Sequence, residues 1–75
     1  MSVFEELFER VKQKAARYGC QCEMEKHERS VVLMEISDDD AREFDEFIDE
    51  DCVSRVDIIK EGDIRRIELH ERGDN

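Results

Sequence analysis

Residues 37 to 51, "SDDDAREFDEFIDED", set nine carboxylates against a single basic side chain, Arg42. Side chains of this kind can hold a divalent cation, work as an acid and base pair, or bind a cationic surface. A calcium loop starting at Asp38 would need an oxygen donor at its fifth position, glycine at its sixth and a bidentate glutamate at its twelfth. The chain has Arg42, Glu43 and Asp49 there. Acid and base catalysis needs two carboxyl groups flanking a pocket, and no pair is singled out by its spacing in a chain with little room for a cleft. Electrostatic docking is the chemistry that the pattern supports.

The position of each acid sharpens this reading. Asp38, Asp39 and Asp40 fall at the start of an expected helix, where its dipole favours anions, so they need no functional reason. Asp49, Glu50 and Asp51 fall at the opposite end, where the dipole disfavours them, and Glu46 with Glu50 and Asp45 with Asp49 repel at i,i+4. On a helical wheel Asp39, Glu43, Glu46 and Glu50 share the side opposite Phe44 and Ile48, flanked by Asp45 and Asp49. These six are the candidate partner-binding residues. Along a helix of roughly 22 Å the acids are spaced about 2.5 Å apart, against about 1.7 Å per charge along duplex DNA.

The remaining reactive side chains give weaker signals. Cys20, Cys22 and Cys52 with His27 or His70 could form a thiolate metal site, but the spacing is unlike paired C-x2-C ligands, and free cysteines more often pack in cores. A redox role lacks the helix N-terminus that lowers a thiol pKa. His27 and His70 are expected at the surface, near a turn and a strand end. No metal site, cofactor or catalytic residue is implied, and phosphate loops, nucleophile elbows and HExxH are absent.

Periodicity along the chain defines the secondary structure that carries these groups. Ser2 and Glu5 form a capping box, and Phe4, Leu7, Phe8, Val11, Ala15 and Tyr18 recur at helical spacing up to Gly19, which predicts a helix over 3 to 18. "CQCEMEKHE" and "SVVLMEI" read as two strands, with Met24 opposite Leu33 for a two-residue loop or Met34 for a three-residue loop. Ala41, Phe44, Phe47 and Ile48 form the stripe of a second helix, capped by Ser37 or Asp38.

In "VSRVDIIKEGDIRRIELH" a turn at Glu61-Gly62 would set Lys60 opposite Asp63, Asp57 opposite Arg66, Arg55 opposite Glu68, Val56 opposite Ile67 and Ile59 opposite Ile64. That register leaves Arg65 free. It turns Val56, Ile58, Ile67 and Leu69 to the core and Val53, Ile59 and Ile64 outward. The expectation is an α+β domain over 1 to 75, ordered α-β-β-α-β-β. It has a four-stranded, mostly antiparallel sheet, both helices on one face and a frayed tail over 70 to 75.

Composition bounds the function. The chain has 75 residues and a net charge of −10, too acidic to be drawn to nucleic acid or anionic lipid directly. Residues 37 to 51 carry −8 of this and the other sixty only −2, so the acidity is local and not a general adaptation to solvent. The odd cysteine count, the lack of a long apolar run and an N-terminus unlike a signal peptide point to a cytoplasmic protein with reduced thiols.

Size and charge are generically similar to those of phage-borne antagonists of host nucleases. The expected function is a non-enzymatic inhibitor that mimics nucleic-acid phosphates and docks its acidic helix on a basic nucleic-acid-binding protein. The alternatives are an assembly module that forms a homodimer through its sheet and a small Cys/His metal protein.

Overall fold

The computed structural model describes residues 2–73. Helix α1 (Val3–Tyr18) forms where local signals agree: Glu5 N–H donates to Ser2 Oγ at 3.1 Å, Ser2 N–H donates to Glu5 Oε1 at 3.3 Å, and Gly19 ends the helix at φ 72°. Glycine reaches that left-handed conformation without steric cost. Phe4, Leu7, Val11 and Ala15 are the buried stripe.

Strands β1 (Gln21–Glu25), β2 (Ser30–Ser37), β3 (Val53–Glu61) and β4 (Ile64–Glu71) make one antiparallel sheet in the order β1-β2-β4-β3. Val31, Leu33, Ile67 and Leu69 on one sheet face join the α1 stripe and Ala41, Phe44 and Phe47 in a single core. Both helical segments therefore cover the same face, and the chain is the expected α+β fold. No helix is long and apolar enough to cross a membrane.

The second helical segment is interrupted. It comprises α2 (Asp38–Ala41), a 3-10 turn (Arg42–Phe44) and α3 (Asp45–Ile48). Ala41, Phe44 and Phe47 are all buried, and they recur at intervals of three. A stretch with 3.0 residues per turn keeps such positions in line, whereas a straight α-helix would rotate each by about 60°.

Neither hairpin has the expected register. β1 and β2 are joined by a four-residue turn, 26 to 29, with Arg29 at φ 53°, so Met24 lies opposite Val31 and not Leu33 or Met34. In the second hairpin the loop is Gly62-Asp63, with Glu61 opposite Ile64. Gly62, at φ 65°, takes the first loop position, where a type II′ turn requires glycine. Lys60 thus faces Arg65, Val56 faces Leu69, Ile58 faces Ile67, Ile59 faces Arg66, Asp57 faces Glu68 and Arg55 faces His70.

In this second hairpin the shift is by two residues, which preserves the alternation of faces. Ile67 and Leu69 reach the core as expected, although Ile58 remains 47% exposed. Val53 does not follow the expectation. A register shift between Val53 and Arg55 reverses the alternation there and turns Val53 into the core. A second irregularity lies between Leu33 and Ile36, with Glu35 at φ 59°. It lets Leu33 and Ile36 both face inward.

Ile59 and Ile64 are exposed, as expected. The tail begins later than residue 70: His70 and Glu71 belong to β4, and Arg72 N–H donates to Cys52 O at 2.8 Å. Residues 74 and 75 of the expected frayed tail lie outside the described residues.

Candidate functional site

The acidic segment is built on α1 and on the end of the second hairpin. Ser37 caps it, its Oγ accepting from Asp40 N–H at 3.2 Å. Asp38 binds Arg65 and, at 3.3 Å, Lys60. The Arg65 hydrogen bond, with Lys60 assisting, holds the Asp38 carboxyl below the usual carboxylate range. Arg65, expected to be free, is therefore the basic anchor of this end.

The other end lies along α1. Glu46 accepts from Lys14 Nζ at 2.8 Å and Glu50 from Arg10 at 2.9 Å. Lys14 also donates to the Glu43 carbonyl, and its hydrogen bond to Glu46 lowers that carboxyl's pKa. The same cations lie over aromatic rings: Lys14 Nζ is 5.4 Å from the Phe44 centroid and Arg10 Cζ is 5.7 Å from that of Phe47. Tyr18 meets Phe44 edge-on at 5.6 Å.

The six expected contact residues therefore divide into two groups. Glu46 and Glu50 are committed to α1. Asp39, Glu43, Asp45 and Asp49 are exposed, and with Asp40 and Asp51 they have no basic partner within 4.0 Å among the described residues.

A second group of polar side chains lies on the sheet face that carries no helix. His70, expected at the surface, is 7% exposed because β4 is an inner strand. Its Nε2 is 3.0 Å from Asp57 Oδ2 and 3.5 Å from Glu68 Oε1. The ion pairs expected across the hairpin form along each strand instead: Arg55 Nε is 3.3 Å from Asp57 Oδ2, and Arg66 Nε is 2.8 Å from Glu68 Oε2. Residues two apart on a strand share a face, and with Glu68 opposite Asp57, His70 opposite Arg55 and Ile59 opposite Arg66, no cross-strand neighbour offers either arginine a carboxylate directly opposite.

Nothing in the sequence marks this cluster except the i,i+2 spacing of Glu68 and His70, because Asp57 joins them only through the register. His27 is exposed in its turn, as expected.

Cys20, Cys22 and Cys52 are half-buried and pack against the core. Burial raises all three thiol pKa values, that of Cys22 to about 12. Among the described residues, the metal-competent group of three is Asp57, Glu68 and His70, and it contains no cysteine. Comparison with family models, with curated proteins and with solved structures gives no match to this chain in any of the three.

Proposed function

We propose that this protein is a non-catalytic acidic binding module whose 38 to 51 segment docks on a basic surface of a nucleic-acid-binding protein and competes there with phosphates. The observation that carries the proposal is the division of the acids. Asp38, Glu46 and Glu50 fasten the segment to the rest of the fold, while Asp39, Asp40, Glu43, Asp45, Asp49 and Asp51 have no basic partner among the described residues. Buried Ala41, Phe44 and Phe47 hold the same segment from beneath. Carboxylates displayed on a fixed backbone lose little entropy on docking, and their summed field speeds association with a cationic groove.

The test is capture of basic nucleic-acid-binding proteins on the immobilised chain. A variant reversing Asp39, Glu43, Asp45 and Asp49 to lysine spares the residues that hold the segment. A control reverses Glu6, Glu9, Glu23 and Glu61, giving the same net charge elsewhere. Capture should be released by salt and by competing duplex DNA, lost in the first variant and kept in the control. Equal binding by both variants would exclude this contact surface, and capture that persists at high salt would assign it to the apolar sheet residues Ile59 and Ile64.

A further inference from the structure

We infer that Asp57, Glu68 and His70 form a zinc site on the helix-free face of the sheet. Their donor atoms all lie within 4.8 Å of one another. Tetrahedral ligands about 2.0 to 2.2 Å from zinc are themselves about 3.3 to 3.6 Å apart, so the 3.0 and 3.5 Å separations from His70 Nε2 to the two carboxylates need only a small opening. The imidazole nitrogen favours zinc and its neighbours over magnesium or calcium, which take oxygen donors.

Three features of the cluster point to a cation. Asp57 and Glu68 lie directly opposite on β3 and β4, an arrangement that is destabilising unless positive charge sits between them. His70 Nε2 faces contradictory neighbours: a carboxylate oxygen at 3.0 Å that requires a proton on the nitrogen, and an Arg55 N–H donor at 3.4 Å that requires a lone pair. A metal ion would satisfy the nitrogen and the carboxylate together. Finally, Ser30 lies opposite His70 in the β2 and β4 register and shares its sheet face, and its buried Oγ has no hydrogen-bond partner. A buried hydroxyl left unpaired carries its desolvation cost uncompensated, and a metal-bound water beside His70 would supply the missing partner.

The arginines have separate roles in this arrangement. Arg66 binds Glu68 Oε2 and leaves Oε1, the oxygen nearer His70, to the metal. Such outer contacts orient ligands. Arg55, with a side chain 65% exposed, now occupies the cation position and can swing into solvent. It competes with zinc, which gives the proposal a signature in the sign of a mutational effect.

The experiment is calorimetric titration of the reduced, metal-stripped full chain with Zn2+, followed by nitrogen NMR of the His70 ring. One equivalent should bind and shift the Nε2 resonance. Asp57→Asn, at a half-exposed position compatible with folding, should weaken binding at least by the roughly 10- to 100-fold seen when a group that only orients a metal ligand is lost. Arg55→Ala should strengthen it. Co2+ loaded in place of zinc should show no thiolate charge-transfer band. Absence of saturable binding, binding unchanged in Asp57→Asn, weaker binding in Arg55→Ala, or a thiolate band with an unshifted His70 would each overturn the assignment.

Discussion

Asp38 shows how one side chain can carry a local role that the sequence discloses and a distant one that it does not. Its place at a helix start was legible from Ser37 and the apolar stripe beyond it. Its bonds to Lys60 and Arg65 were not, because they join positions 22 and 27 apart through a hairpin register that had to be known first. The pairing has a pH consequence. Arg65 lowers the folded-state pKa of Asp38, so its contribution is present above the unfolded value, near pH 4, and is lost as pH falls through the folded one. Glu46, lowered by Lys14, acts in the same direction. Asp38→Asn should therefore unfold at lower urea than the parent at pH 7, and the two midpoints should converge as the pH falls below the folded-state value. A difference that persists undiminished in acid would assign the effect to the side chain's neutral hydrogen bonding and not to its charge. His70 illustrates the same limit: its surroundings depend on partners in two other strands, so an isolated histidine gave no sign of burial.

Among the helices and strands, local chemistry was readable and pairing was not. The capping box, the apolar stripe and Gly19 gave α1 its full extent because all act within one or two turns of chain. The second hairpin was expected to turn at Glu61-Gly62, a register whose cross-strand charges and apolar residues all matched, but Gly62 takes the first loop position and not the second, which shifts every pair by two. The bulges near Ser54 and Glu35 contain no glycine to announce them. Within the acidic segment, the three-residue interval of Ala41, Phe44 and Phe47 held the signal for the interrupted helix, but it resembles an α-helical stripe over so short a span. These rings are what keep the carboxylates in order. Phe47 is 4% exposed, 6.1 Å from Phe44 and beneath Arg10. Phe47→Ala should cost about 3 to 5 kcal/mol, a large part of the roughly 5 to 15 kcal/mol that holds a small domain folded. Hydrogen exchange should quicken first at residues 44 to 50 while β2 and β4 stay protected. Uniform loss of protection across the sheet would mean that the segment and the core open as one unit.

The protein taken entire balances short attractions against long repulsions. Its extents are 37 × 21 × 21 Å and its net charge is −10, so unpaired acids on different elements repel across distances on the order of 10 Å. The seven lysine and arginine ion pairs among the described residues, by contrast, close at 3.3 Å or less. Salt separates these contributions by distance. Between about 0.01 and 0.1 M the screening length falls from about 30 to about 10 Å, which removes much of the long-range repulsion and leaves contacts of a few ångströms little changed. The unfolded chain carries the same charges at greater separations and gains less from screening. Thermal stability should therefore rise over this interval, the opposite of the trend expected if surface ion pairs governed the fold. Reversing Asp39, Glu43, Asp45 and Asp49 to lysine changes the charge by eight, from −10 to −2, and should abolish most of the rise. If that variant keeps the parent's salt dependence, the repulsion originates outside the exposed acids of the segment, and the proposed docking surface loses its electrostatic basis.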